Sequence, residues 1–257
     1  MTDTPPAVPG SETLELWPGG YRYYRDSAHF PLGMDSVLLS SFVRLRRGQR
    51  AADLGTGCGY IPLMLLGRES SIYIDALEIV PAAAGVARMN IGLNGLESSV
   101  SVIEGDLREV RKYMKCGAYD LVVCNPPYYD PHSGAQSPDE NMRTARSGGC
   151  TVADVCRAAA ALLRNGGSFC LCWKPERMAE LFAALSAARL EPKRMRLCHS
   201  RADHPAYLML LDARKQANPG LKMLPPLVVR GKDGAYTREI LEIYRRQAGS
   251  PAEQGEG

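Results

Sequence analysis

The sequence predicts an α/β fold: a mostly parallel seven-stranded sheet with helices on both faces and an antiparallel strand near the C-terminus. Three observations predict it. Short apolar runs alternate with helix-period segments between residues 50 and 173, the pattern of parallel strands joined by helical crossovers. A glycine-rich turn follows the first of these runs. Asp53, Glu78, Asp106 and Asn125 then fall at or just beyond the C-terminal ends of successive strands, and that edge is where open α/β sheets bind ligands.

In chain order, residues 1–13 are rich in Pro, Gly, Ser and Thr and are expected to be a disordered tail. Leu14 to Tyr24 is aromatic and reads as packed on the body. A helix follows from Asp35 to Val43; Val37, Leu38, Ser41 and Phe42 share a face, and Asp35 stands as N-cap. The strands are Arg50–Asp53, Ser71–Leu77, Ser99–Ile103, Tyr119–Cys124, Ser168–Trp173, Pro192–His199 and Ala206–Asp212. Helices lie between them at Ile61–Leu66, Pro81–Asn90 and Leu107–Met114. Another opens at Thr151 and stops at Asn165-Gly166-Gly167, and a further one runs from Arg177 to Arg189. An extended piece around Pro225–Val229 and a helix at Tyr236–Arg246 close the fold. Residues 14–247 are expected to form one domain, with a polar tail at 248–257.

Composition narrows the function. A net charge of +3 over 257 residues permits a polyanionic partner without requiring one. No apolar run reaches the roughly 20 residues of a membrane span, and Met1–Gly10 has no apolar core of a secretory leader, so a cytoplasmic protein is expected. The eight cysteines include no C-x-x-C pair and read as buried free thiols with no metal site; His29, His132, His199 and His204 show no partner pattern. The basic runs Arg44–Arg47 and Lys193–Arg196, with Arg201, are either solvated charge or a weak RNA track.

The turn Asp53-Leu54-Gly55-Thr56-Gly57-Cys58-Gly59 lets a backbone approach a ligand closely. It is neither G-x-G-x-x-G nor a P-loop. A carboxylate at its entrance repels pyrophosphate and welcomes an ammonium, so a ligand with an amino-acid end fits; S-adenosylmethionine is one. Glu78, 25 positions after Asp53, is placed to take ribose hydroxyls. Asn125-Pro126-Pro127-Tyr128 is a stiff loop offering an amide acceptor and an aromatic ring to a planar group bearing NH2. Residues 129–149 have no apolar period and read as a substrate-side flap on which Arg143 and Arg146 meet phosphates.

The glycine turn resembles motif I of Rossmann-like class I methyltransferases, and Asn125–Tyr128 resembles the [D/N/S]-P-P-[Y/F/W] signature of enzymes that methylate exocyclic or amide nitrogens. Met34-Asp35-Ser36-Val37-Leu38-Leu39, Ala145-Arg146 and Leu224–Val229 followed by Asp233–Thr237 extend the likeness over residues 21–244 to the bacterial valine-tRNA adenine-N6 methyltransferase family. Relatives often carry His-Glu after the Ala-Arg, where this chain has Ser147-Gly148. The resemblance implies S-adenosylmethionine as cofactor and S-adenosylhomocysteine as product, with tRNA as partner; the oligomeric state is left open, a monomer being the default. It implies a cofactor site of Asp35, Asp53, Gly55, Gly57, Gly59, Glu78, Asp106 and Asn125, with Asp106 on the adenine amino group. It also implies catalysis by Asn125, Pro126 and Tyr128, and substrate contacts from Tyr128, Tyr129, Arg143 and Arg146. Two other readings share these motifs: a glutamine-N5 methyltransferase acting on release factors, and a non-catalytic S-adenosylmethionine- or RNA-binding module. The short stretch before Asp35 leaves no room for the helical substrate domain of the first, and intact Asp53 and Asn125 speak against the second.

Overall fold

The computed structural model describes residues 12–25, 32–126 and 149–246. Strands β1 (Glu12–Glu15) and β2 (Arg22–Arg25) pair as an antiparallel hairpin, so β1 starts inside the stretch expected to be disordered. The main sheet contains β3 (Arg50–Leu54), β4 (Tyr73–Glu78), β5 (Val100–Glu104), β6 (Tyr119–Cys124), β7 (Leu163–Trp173), β8 (Leu190–His199) and β9 (Ala206–Lys215). Two-residue strands β10 (Lys222–Met223) and β11 (Leu227–Val228) both add to β8; β10 was not expected from the sequence.

The order is β10-β8-β9-β7-β6-β3-β4-β5. Strands β3 to β7 run parallel to one another, and β9 is antiparallel to both β7 and β8. This is the mostly parallel arrangement the alternation predicted. The C-terminal ends of β3 to β8 therefore share one edge with the start of β9.

The two faces of the sheet carry separate cores. One face packs the hairpin, α1 (Met34–Phe42), α2 (Tyr60–Leu66), α3 (Pro81–Gly92) and α6 (Arg238–Arg246). The other packs the 3-10 helix Leu107–Lys112, α4 (Val152–Leu162) and α5 (Met178–Ala187). Alternation along β7 sends Cys170 and Cys172 to the first core and Phe169, Leu171 and Trp173 to the second. Among the described residues no helix is long and apolar enough to cross a membrane.

Two boundaries differ from expectation for local reasons. Helix α1 is capped by Gly33, which makes no side-chain bond, so Asp35 lies in the first turn and is not the N-cap. Asn165-Gly166-Gly167 does not terminate α4. The helix ends at Leu162, and the glycines form a bulge inside β7, where the register with β6 jumps from Tyr119↔Leu163 to Leu121↔Ser168. Gly166 has φ 74°, and a Cβ on Gly167 would lie 2.9 Å from Leu163 Cδ2 and 3.1 Å from the Tyr119 carbonyl oxygen. The start of α4 is as expected: Thr151 and Asp154 exchange bonds in a capping box.

Three polar anchors fix the elements that carry the site. Asn90 of α3 accepts the Tyr24 N–H at 2.7 Å and donates to the Cys58 carbonyl at 2.8 Å, tying the hairpin and the glycine turn to one helix. Arg68 donates to the Ser40 and Val43 carbonyls at the end of α1. Arg194 of β8, buried, pairs with Asp212 of β9 at 3.0 Å, donates to the Phe42 carbonyl at 3.1 Å and covers the Phe42 ring. Removing one partner of a buried pair leaves an uncompensated charge. Asp212→Ala is therefore expected to cost about 3–5 kcal/mol, read as a lowered denaturation midpoint at unchanged slope, with α1 loosened from the sheet.

These contacts also correct the RNA track. Arg194 is spent inside the fold, and Arg196 is held by Glu239 at 2.7 Å and by the Pro225 carbonyl. Arg44, Arg46 and Arg47 are exposed, but they precede β3 and so lie at the opposite sheet edge from Asn125. Arg201, in the turn between β8 and β9, is the member of that set on the edge of Asn125.

Candidate active site

Strand β3 delivers Asp53 one residue before its end, fully buried, with both carboxylate oxygens lacking a hydrogen-bond partner. Burial raises its carboxyl first of all, and the nearby Glu78 charge adds to the rise, up to about 7. Thr56 tempers that rise from close by, although its buried hydroxyl makes no hydrogen bond. A buried carboxylate without a partner is costly; a cation arriving beside it removes that cost.

The turn beyond Asp53 needs its glycines. Gly55, Gly57 and Gly59 have φ of 76°, 57° and 81°. The Gly55 and Thr56 N–H groups donate to the Leu77 carbonyl, fastening the turn to β4. A Cβ on Gly59 would stand 3.2 Å from that of Ala87, whereas one on Gly55 would meet nothing within 4 Å. Glu78 ends β4 with one oxygen accepting the Gly57 N–H at 2.8 Å and the other the Val80 N–H at 2.9 Å. Burial raises its carboxyl, and those two bonds offset part of the rise. A lone-pair position remains for a hydroxyl donor.

Asp106 follows β5. It accepts the Arg108 backbone N–H at 2.9 Å, capping the 3-10 helix, and pairs with the Arg108 guanidinium, which lowers its carboxyl below the usual range. It also borders a mostly apolar pocket with Leu54, Leu77, Ile79, Leu107, Val152, Val155 and Trp173, and Gly55 and Pro126 stand at its rim. One acid beside apolar walls suits a flat heteroaromatic ring with an amino edge. Sequence reasoning missed the wall formed by Val152, Val155 and Trp173, whose side chains look like ordinary core in one dimension. Arg177, stacked 5.1 Å over Trp173 and paired with Glu180, also lines the pocket.

Asn125 follows β6 directly. Its Nδ2 donates to Ser36 Oγ at 3.0 Å, and its Oδ1 accepts from Cys172 Sγ at 2.9 Å. Beside it, the buried Cys124 thiol donates to the Leu54 carbonyl at 3.0 Å. Asp35 is not on the pocket wall; its charge acts on Cys198 and Tyr207, on the β8–β9 side of the edge. The edge thus gathers Asp53, the glycines, Glu78, Asp106, Asn125 and Pro126, as their strand-end positions predict. Tyr128, Tyr129, Arg143 and Arg146 lie outside the described residues. Among the described residues no cluster of His, Cys, Asp and Glu could hold a metal, and no cysteine forms a disulfide.

Residues 32–186 match the methyltransferase small domain family. A tRNA1(Val) (adenine(37)-N6)-methyltransferase of Yersinia pseudotuberculosis is 30% identical over 221 residues, 85% of this chain and 85% of that one. The chain belongs to that family of tRNA adenine-N6 methyltransferases. A Yersinia pestis relative with the same name is also 30% identical, with 85% of this chain and 87% of that one covered. A crystal structure of a predicted O-methyltransferase from Agrobacterium tumefaciens superposes with a TM-score of 0.69 at 24% identity, covering 84% of this chain and 97% of that one. That likeness shows the fold.

Proposed function

We propose that this methyltransferase transfers a methyl group from S-adenosylmethionine to the exocyclic N6 of an adenine in tRNA, the adenine 3′ of the anticodon of a valine tRNA. It acts in the cytoplasm as a monomer, with residues 14–247 as one catalytic domain. The observation that carries this reading is the convergence, on one sheet edge, of a buried unpartnered carboxylate at Asp53 and an amide at Asn125. The first suits the cofactor, and the second suits the acceptor.

The residues fit S-adenosylmethionine in three places. Asp53 faces its ammonium, Glu78 its ribose hydroxyls, and Asp106 with the apolar pocket its adenine. Bound there, the cofactor supplies an electrophilic methyl on a sulfonium. The target amine is a poor nucleophile because its lone pair is delocalised into the purine ring. Asn125 Oδ1 and the Pro126 carbonyl each accept one of its N–H bonds, which favours a pyramidal nitrogen and frees the lone pair. Tyr128 holds the flipped-out base by stacking, worth about 1–3 kcal/mol. Cys124 and Cys172 take no part as nucleophiles: burial holds the Cys124 thiol far above its usual range, and both serve as buried hydrogen-bond donors, Cys124 to the Leu54 carbonyl and Cys172 to Asn125 Oδ1.

The substrate assignment is tested by incubating the protein with methyl-labelled cofactor and a bulk tRNA pool lacking the modification. The labelled species should be a valine tRNA carrying one N6-methyladenosine next to the anticodon. Label spread over many tRNAs, or elsewhere in the molecule, would overturn the assignment.

A further inference from the structure

We propose that Ser36 and Cys172 are positioning residues that clamp the Asn125 amide so that one lone pair of Oδ1 faces the acceptor amine. This rests on the reading of Asn125 as the group that accepts a target N–H. A side-chain amide is useful there in one orientation only. Turned over, it presents an NH2 to an NH2 and repels the base it should hold.

The structure holds the amide from both ends. Nδ2 donates to Ser36 Oγ at 3.0 Å, and Oδ1 accepts from the Cys172 thiol at 2.9 Å. Each partner is itself fixed. Ser36 sits in the first turn of α1, whose far end is tied by Arg68 and Arg194. Cys172 is fully buried in β7. The clamp therefore joins a helix and two neighbouring strands at the point where β6 becomes the catalytic turn. A thiol is a weak donor. It orients Oδ1 while leaving that oxygen basic enough to accept the substrate.

The test compares Ser36→Ala and Cys172→Ala with the conservative Ser36→Thr and Cys172→Ser, each in the full chain. Losing one of these bonds is expected to lower kcat on the order of tenfold, with the KM for the cofactor unchanged; Ser36→Ala should leave the melting temperature unchanged, and Cys172→Ala should lower it through the buried volume it removes. The Thr and Ser forms should stay within about threefold of the parent. In an Asn125→Ala background, Ser36→Ala should have no further effect, because the group it positions is gone. A second readout does not need the acceptor: the Asn125 side-chain NH2 resonances, identified by their loss in Asn125→Ala, should exchange with solvent faster in both alanine variants. Unchanged exchange, or faster exchange with unchanged kcat, overturns the proposal. A parent protein that methylates no tRNA refutes the substrate reading instead, and the exchange rates still decide whether the clamp exists.

Discussion

Asn125→Ala is expected to lower the turnover of methyl transfer by about 10²–10³-fold, the loss typical when one preorganised hydrogen-bonding group of a transition state is removed. Cofactor affinity should change little, within about twofold. The split follows from geometry. Asn125 stands at the end of β6, bound to Ser36 and Cys172; its neighbours Cys124 and Pro126 line the apolar pocket, and Asn125 itself does not. Its loss removes an acceptor made for the reacting amine, not a wall of the cofactor site. Single-turnover rates at saturating cofactor check this directly. Retained rates in Asn125→Ala would remove the chemical core of the account.

Asp53→Asn is expected to weaken cofactor binding by about 10²-fold, the loss of a charge-assisted pair in a buried setting, and to flatten the pH dependence of binding. The sign follows from the carboxyl standing at about 7, raised mainly by burial. An ammonium ligand pairs with the ionised form. Cofactor affinity should therefore fall about tenfold for each pH unit below 7, and binding at pH 6 should release protons, seen as a heat of binding that varies with the buffer. The cofactor-free protein behaves oppositely. Its folded state keeps a proton that the unfolded chain gives up near 3.8, so this group's contribution to stability falls as pH rises from about 4 to 7 and is level above. In Asp53→Asn both slopes should shrink, with Glu78, which burial raises in the same direction, keeping part of them. Pulse-free calorimetry across pH 5.5–8 with both proteins reads the two slopes; an identical slope in the variant would contradict the role given to Asp53.

The strand-end positions of the proposed cofactor site were legible because their logic is local. Asp53, the three glycines and Glu78 sit on strand-end positions that the alternation of strands and helices reveals, and β6 was bounded as Tyr119–Cys124 from its apolar run alone. What escaped the sequence depends on distant partners. Nothing near Ser36 or Cys172 signals that both reach Asn125, 89 and 47 positions away along the chain. Nothing near Val152 or Trp173 distinguishes a pocket wall from core. Asn165-Gly166-Gly167 is a good helix stop by local rules, yet the chain enters β7 first and uses the glycines to pass the Tyr119 carbonyl. Arg194 reads as surface charge until Asp212 is brought beside it by the β8–β9 pairing.

The most direct test of the central claim is to incubate the purified protein with methyl-labelled S-adenosylmethionine and, in parallel, with unmodified tRNA and with a release factor. The account predicts label in tRNA that digests to N6-methyladenosine and none in the release factor. Label in the release factor as N5-methylglutamine, or in neither acceptor while the cofactor still binds, would contradict it.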